Sequence, residues 1–162
     1  MSRQPRAGGR YVQPIDNAGA LVSPEIGHGK YTLLANTLYF FPLGGADAAF
    51  QSVHLTVYSL TMVITSGTIQ DCDHHGGPLS LPGDVSDFSV VAGEWISETP
   101  TTSYVGVNGT GWSQTNGVFS SLGSALGGAL VHVAETGAYR TRLAVQVGAT
   151  GGIARVSAHG KD

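Results

Sequence analysis

The sequence from Phe50 to Asp73 alternates apolar and polar residues and changes phase once near its middle. Alternation of this kind is typical of a strand with one buried face. Val53, Leu55 and Val57 occupy odd positions, whereas Leu60, Met62 and Ile64 occupy even positions. Because a slip of one residue turns every later side chain to the other face of a sheet, the pattern predicts a bulge or corner near Tyr58-Ser59, where the chain passes between two sheets. This segment therefore limits the fold to a β-sandwich or a β-barrel.

The remaining sequence predicts further short strands joined by glycine turns. Gly67 is expected to close the second half of this segment, and Tyr31–Phe41 and Tyr139–Val147 have strand patterns of their own. The chain contains 24 glycines, and only 12% of its residues are charged, about half the usual share. About eight short strands at this spacing suit an all-β, antiparallel, jelly-roll-like β-sandwich over residues 31–162. We expect helix in under about 10% of the residues.

Charge is distributed unevenly along the chain. Residues 1–30 sum to +2 and residues 140–162 to +3, whereas residues 31–139 contain no Lys or Arg and sum to −8. Prolines and paired glycines interrupt residues 1–30, which predicts an extended N-terminal arm ahead of the sandwich. An acidic body with basic ends indicates ends that bind acidic surfaces, on a neighbouring copy or on another protein. The alternative is that the ends serve only as solubilising tails.

Three parts of the sequence are predicted to bind a partner. The arm supplies arginines for acidic patches together with scattered apolar anchors. Strand parity places Arg140 and Arg142 side by side on the face opposite Leu143, which we expect to be a solvent or partner face. Trp112 lies in a glycine-rich loop and is interpreted as an anchor in a subunit contact, although it also suits a stacking platform for sugar. The predicted partner-binding residues are Arg3, Arg6, Arg10, Tyr11, Val12, Ile15, Leu21, Trp112, Arg140 and Arg142.

One short run, from Asp71 to His75, contains residue types that ligate metals. Adjacent side chains of an extended segment point to opposite faces, so His74 and His75 cannot both bind one ion without a turn. No C-x-x-C or H-x-x-x-H spacing supports them. We interpret the run as a polar turn and expect no metal there.

Other chemical motifs are absent from the sequence. Ser124 lacks the G-x-S-x-G order of a nucleophile elbow, and no phosphate-binding glycine loop is present. A body without Lys or Arg argues against nucleic acid. No stretch approaches the roughly 18 consecutive apolar residues of a membrane span. The sequence therefore predicts no enzyme activity, no cofactor and no small-molecule substrate.

The end of the chain carries a family resemblance. It runs from Tyr139-Arg140-Thr141-Arg142-Leu143-Ala144-Val145 through Gly151-Gly152-Ile153-Ala154-Arg155-Val156 to His159-Gly160-Lys161. These segments, with the glycine-rich and charge-poor body, resemble small structural proteins of tailed bacteriophage virions, a class that includes decoration or cement proteins. The resemblance implies a β-sandwich made in the host cytoplasm that binds the major capsid protein on the capsid exterior. Such proteins staple neighbouring capsomers, often as homotrimers.

Two other classes of function are weighed against this one. A carbohydrate-binding β-sandwich for host attachment would use Trp112 and residues 71–87 as its site. A hydrolase has no supporting constellation of residues in the sequence.

Overall fold

The structure is a computed structural model that describes residues 10–45, 50–58, 61–72, 95–97, 104–107, 112–115, 118–121, 129–132 and 140–160. These ranges form thirteen β-strands and no helix, which confirms the all-β prediction. None of them contains a helix able to cross a membrane. In chain order the strands are β1 Arg10–Tyr11, β2 Ile15–Asp16, β3 Tyr31–Leu33, β4 Leu38–Gly45, β5 Phe50–Val57, β6 Ile64–Cys72, β7 Trp95–Ser97, β8 Tyr104–Val107, β9 Trp112–Thr115, β10 Val118–Ser121, β11 Ala129–His132, β12 Arg140–Val147 and β13 Gly152–Gly160.

The strands form two antiparallel sheets arranged as a sandwich. Sheet A has the order β1-β13-β5-β11-β8, and β3 pairs with β13 on the same side as β1. Sheet B has the order β2-β4-β12-β6-β10-β9, and β7 pairs with β6. One apolar core draws buried side chains from both sheets. The antiparallel β-sandwich is therefore confirmed.

The predicted passage between sheets occurs where the sequence changes phase. Val53, Leu55 and Val57 are buried from β5 of sheet A, and Met62 and Ile64 are buried on the way into β6 of sheet B. The odd and even sets thus point into the same core from opposite sides. This part of the sequence prediction is confirmed.

The prediction that Gly67 closes this strand is wrong. Gly67 lies inside β6, which continues to Cys72, and it pairs with Val145 on one side and Phe119 on the other. A Cβ at Gly67 would overlap with the ring of Phe119. The glycine therefore makes room for a buried aromatic side chain in the adjacent strand, a recognised use of glycine within a sheet.

The predicted strand Tyr31–Phe41 is two strands, β3 in sheet A and β4 in sheet B. A turn at Ala35 and Asn36 separates them, and Asn36 has a φ of 56°. Strand β4 then continues through Pro42, beside a register shift in its pairing with β12. Because proline cannot donate a ladder hydrogen bond, an irregularity of this kind is where a strand accommodates it.

The described part of the predicted arm belongs to the sandwich. Strand β1 pairs with β13, the Val12 amide donates to the Val156 carbonyl at 2.9 Å, and β2 pairs with β4. Val12 and Ile15 have exposed fractions of 3% and 0%. Residues 10–16 are therefore part of the sandwich and not of a separate arm, the boundary at residue 30 stays a prediction, and residues 1–9 lie outside the described ranges.

The outer face of sheet B carries a second buried cluster. Ile15, Phe40 and Ala144 are buried next to one another on adjacent strands, and Leu38 packs against them. On the opposite face of β12, Leu143 points into the main core as its parity predicts. Strand β12 is consequently covered on both faces.

Candidate functional site, a tyrosine and cation surface

Four side chains on the outer face of sheet A form a continuous row. The Arg155 guanidinium carbon lies 5.1 Å from the centre of the Tyr11 ring and 5.3 Å from the centre of the Tyr58 ring. The Lys30 Nζ lies 5.2 Å from the centre of the Tyr58 ring. We call Tyr11, Lys30, Tyr58 and Arg155 the tyrosine–cation surface.

Strand register brings this surface together from distant parts of the chain. Arg155 lies between the buried residues Ala154 and Val156, so alternation directs it outward. Tyr11 pairs with Ser157, two residues further along β13 and on the same face. Tyr58 follows the buried end of β5, and its amide donates to the Ile153 carbonyl at 2.8 Å.

A tight turn positions Lys30 and supports Tyr11. The Ile26 amide donates to the Lys30 carbonyl at 2.8 Å, and the Lys30 amide donates to the Gly27 carbonyl at 3.1 Å. Gly27, His28 and Gly29 all have positive φ, at 136°, 52° and 76°. A Cβ at Gly29 would collide with the Tyr11 side chain, so glycine at this position allows Tyr11 to lie directly against the backbone.

The two cations of the surface are held by aromatic rings and not by carboxylates in the described part of the chain. Glu25, the acidic residue that precedes the turn, accepts a hydrogen bond from the Tyr31 hydroxyl at 3.4 Å. Burial raises the pKa of Tyr31, and the Glu25 carboxylate adds to that rise. A cation over an exposed aromatic ring gains only about 0.5–1 kcal/mol, so Lys30 and Arg155 retain the capacity to bind an anionic group.

The tyrosines combine exposure with a fixed position. Tyr11 is 51% exposed and Tyr58 is 40% exposed, although both contact Arg155. Tyrosine loses little conformational entropy when it is ordered, and tyrosine and arginine are enriched among the residues that dominate binding energies at protein interfaces. The arrangement is suited to contact with another macromolecule.

Arg10 stands next to this surface and joins the two sheets. Its Nη2 donates to the Leu43 carbonyl of β4 at 2.9 Å, which links the edge of sheet A to sheet B. Burial lowers the pKa of Arg10, but an arginine remains protonated at neutral pH. We therefore assign Arg10 a structural contact in addition to any contact with a partner.

The structure separates the predicted partner-binding residues into groups. Tyr11 and Leu21 are exposed, as a partner contact requires, whereas Val12 and Ile15 are buried in this chain and are wrong as anchors. Arg140 and Trp112 begin β12 and β9. Arg3 and Arg6 lie outside the described residues.

The prediction that Arg142 faces solvent or a partner is also wrong. Arg142 is 6% exposed, and its guanidinium carbon lies 3.7 Å from the centre of the Phe40 ring. Its Nε donates to Gln70 Oε1 at 2.8 Å. Parity placed the side chain on the correct face, but that face carries the second buried cluster.

Replacing Arg142 with alanine is expected to lower the free energy of unfolding by about 2 kcal/mol. A desolvated cation–π contact contributes about 2 kcal/mol, and a charged hydrogen bond contributes about as much before the cost of burying the charge. Urea unfolding of Arg142→Ala checks this, with Arg3→Ala as the control because it removes the same side chain from residues 1–9, which carry none of the core contacts described. Equal unfolding midpoints for the two variants would contradict a structural role for Arg142.

Three residues of the tyrosine–cation surface, Lys30, Tyr58 and Arg155, were missed as site residues in the sequence analysis. Arg155 does carry a usable signal, since it is a charged residue between two apolar ones in a strand pattern. Tyr58 stands at the predicted change of sheet, which gives no sign of its exposure. Only the pairing of β1 with β13 shows that these residues meet Tyr11.

The acidic and histidine run begins at the end of β6, with Asp71 and Cys72. Residues 73–75 lie outside the described ranges. Among the residues that the structure does describe, no group of three or more His, Cys, Asp and Glu side chains is placed to hold a metal. The expectation of a metal-free polar turn at 71–75 stays a prediction.

Comparisons with protein-family models, curated proteins and solved structures find no match to this chain.

Proposed function

We propose that this protein is a virion structural protein that decorates the exterior of a tailed-bacteriophage capsid. It binds the lattice of the major capsid protein as a homotrimer and stabilises it. The tyrosine–cation surface carries the proposal, because it presents exposed aromatic rings and cations in a fixed arrangement suited to protein contacts. Its side chains supply aromatic and cationic contacts for binding.

The strand order supports a jelly roll, the fold class expected from the sequence. Strands β3, β13, β5 and β11 lie in that order in sheet A, and β4, β12, β6 and β10 lie in the corresponding order in sheet B. The strands at the same position in the two orders are β3 and β4, β13 and β12, β5 and β6, and β11 and β10. In each of these pairs the two strands are consecutive along the chain among the eight. Eight strands in two such sheets describe a jelly roll, an architecture used by viral capsid and lectin domains.

The low content of charged residues supports a role as a subunit of a larger assembly. Only 12% of the residues are charged, which gives weak protection against association for a freely diffusing protein. Arg3 and Arg6 lie seven and four residues before β1, so the segment that carries them is connected to the sandwich next to Tyr11. We assign residues 1–9 to attachment on acidic patches of the capsid protein, with affinity multiplied across the copies of the oligomer.

Removing both exposed tyrosines is expected to weaken capsid decoration at least about tenfold, since hot-spot residues contribute 1–2 kcal/mol or more each. Tyr11→Ser/Tyr58→Ser would be compared with the full chain by co-sedimentation with capsids that lack the protein. Thr65→Ala is the control, because Thr65 is exposed on sheet B. Equal decoration by the tyrosine variant and the full chain would contradict the proposal, as would failure of the full chain to sediment with any capsid.

A carbohydrate-binding sandwich for host attachment is the second candidate. The exposed rings of Tyr11 and Tyr58 favour it, because sugars stack on aromatic faces. Binding of the full chain to bacterial surface glycans, lost in the same tyrosine variant and without affinity for capsids, would support this function over decoration.

A further inference from the structure

We infer that the tyrosine–cation surface binds an acidic peptide segment of the partner protein, and that carboxylates of this segment contact Lys30 and Arg155. The inference deepens the proposed function and rests on it, because it names the chemistry of the capsid-protein segment that this surface binds. The rings of Tyr11 and Tyr58 flank the bound carboxylates, since both rings contact Arg155.

The two cations of the surface keep their positive charge available. Arg155 contacts the rings of Tyr11 and Tyr58, and Lys30 contacts the ring of Tyr58. Among the described residues, neither cation contacts a carboxylate. A tyrosine ring carries no net charge, so these contacts orient the cations without neutralising them. A carboxylate that binds here gains charge-assisted hydrogen bonds, which are about twice as strong as neutral ones.

Sheet A provides no negative charge of its own near these cations. Its strands β1, β3, β5, β8, β11 and β13 contain no Asp or Glu. In the connection from β1 to β3, the Asp16 carboxylate accepts hydrogen bonds from the Ala18 and Ala20 amides at 2.9 and 3.0 Å. Glu25 accepts a hydrogen bond from the Tyr31 hydroxyl at 3.4 Å. The surface is therefore complementary in charge to an acidic partner.

The two cations are close enough together to bind one short segment. The Lys30 Nζ lies 5.2 Å, and the Arg155 guanidinium carbon 5.3 Å, from the centre of the same Tyr58 ring. At most about twice this distance separates the two charged groups. An extended peptide rises about 3.3 Å per residue, and alternate side chains point to one face, about 7 Å apart. Carboxylates two residues apart in an extended segment can therefore reach both cations.

Exposed apolar side chains beside the cations favour a protein partner. Leu34 shares the outer face of sheet A with Lys30, because the residues of opposite parity in β3 are buried. Leu34 is 63% exposed, and Ile26, whose amide donates to the Lys30 carbonyl, is 50% exposed. Protein interfaces combine apolar area with tyrosine and arginine. A peptide segment carries apolar side chains as well as carboxylates, so it can contact both parts of this surface.

Other anionic partners match the surface less well. Proteins that bind nucleic acid tightly make about 6–10 phosphate contacts, whereas this surface offers two cations. An acidic glycan would stack on aromatic faces, but cations already lie over the Tyr11 and Tyr58 rings and reduce the free area of those faces. An acidic peptide binds the cations themselves and needs neither a longer basic surface nor a free ring face.

The first experiment titrates the full chain with a hexapeptide of alternating Glu and Thr and follows backbone amides by nuclear magnetic resonance. The amides of Lys30, Tyr58 and Arg155 are expected to shift, and a hexapeptide with Gln in place of Glu is expected to bind at least about tenfold more weakly. Lys30→Gln/Arg155→Gln should weaken binding of the Glu peptide by the same factor, and circular dichroism verifies that this variant is folded.

Two further variants separate local charge from total charge. Lys30→Gln is expected to weaken binding of the Glu peptide, whereas Lys161→Gln, which removes the same charge from a position outside the surface, should leave it unchanged. Lys30→Arg keeps the charge and is expected to retain binding. Equal binding of the Glu and Gln peptides, or equal losses in Lys30→Gln and Lys161→Gln, would overturn the inference.

Other polyanions test the class of the partner. Oligogalacturonate carries carboxylates on sugar rings, and single-stranded oligothymidylate carries phosphates. At equal charge, each is expected to bind the full chain at least about tenfold more weakly than the Glu peptide. Tighter binding of either one at the same amides would assign the surface to that class of ligand and overturn the inference of a peptide partner.

The outcomes for this inference and for capsid decoration are separable. Lys30→Glu/Arg155→Glu reverses the charge of the surface and is expected to weaken decoration at least about tenfold in the co-sedimentation assay. If this variant decorates capsids as well as the full chain does, the inference is wrong and the proposed function stands. If the Glu peptide binds as expected but the full chain sediments with no capsid, the peptide chemistry of the surface is supported and the proposed function is contradicted.

Discussion

Deleting residues 2–24 is expected to unfold the sandwich, whereas deleting residues 2–9 is expected to change the free energy of unfolding by less than about 1 kcal/mol. The longer deletion removes Val12 from the main core and Ile15 from the cluster on sheet B. Loss of a buried aliphatic side chain of this kind costs about 1–5 kcal/mol, and the pairings of β1 and β2 are lost as well. The sum is comparable with the total stability of a domain, about 5–15 kcal/mol.

Circular dichroism during urea unfolding distinguishes the two truncations, and point variants provide a finer control. Ile15→Ala is expected to cost about 3 kcal/mol, while Leu21→Ala, at an exposed position, is expected to stay within about 0.5 kcal/mol. If the chain without residues 2–24 kept a cooperative transition at the original midpoint, residues 10–24 would be an arm after all.

The difference between the predicted arm and the observed strands has a physical reason. Residues 10–16 contain two strands of two residues each, and a pair of residues shows no periodicity. Their place is decided by partners far along the chain, because Tyr11 pairs with Ser157 and Ile15 pairs with Phe40. Prolines and glycines nearby indicate an irregular path, but they do not show whether that path lies on a sheet.

By contrast, the alternation of apolar and polar residues within each strand was enough to predict which side chains of β5 and β6 point into the main core. The change of phase near Tyr58 follows from side-chain alternation alone, and it correctly located the passage from sheet A to sheet B. Parity also placed Arg142 opposite Leu143. It could not show that Phe40 and Ile15 bury that face, since a residue's face follows from its own strand while its cover comes from other elements.

The candidate site was even harder to predict from side-chain alternation, because its residues come together only through contacts between distant parts of the chain. Tyr11 and Arg155 are distant in sequence, and Lys30 reaches the surface through a turn with three successive positive φ angles. The sequence contains each residue but not the register that aligns β1 with β13. Of the surface, only Tyr11 was predicted to bind a partner, and it was placed on an arm and not on a sheet.

Replacing Gly67 with valine is expected to lower the free energy of unfolding by at least about 3 kcal/mol. Even the Cβ of the new side chain would overlap with the Phe119 ring, which is fully buried between the sheets. Overpacking a core costs about 1–3 kcal/mol when neighbours can shift, and it costs more when they cannot. Gly67 is also paired on both sides, with Val145 and Phe119, so the strand has little freedom to move away.

A double-mutant cycle assigns this cost to the aromatic ring. Phe119→Ala alone is expected to cost about 3–5 kcal/mol through the cavity that it leaves. In Gly67→Val/Phe119→Ala the valine enters that cavity, so the double variant should be more stable than the sum of the single changes predicts, by about 2 kcal/mol. Ser66→Val controls for the strand preference of valine and is expected to stay within about 1 kcal/mol. Additive costs in the cycle would show that Gly67 is required for backbone conformation and not for the space that Phe119 occupies.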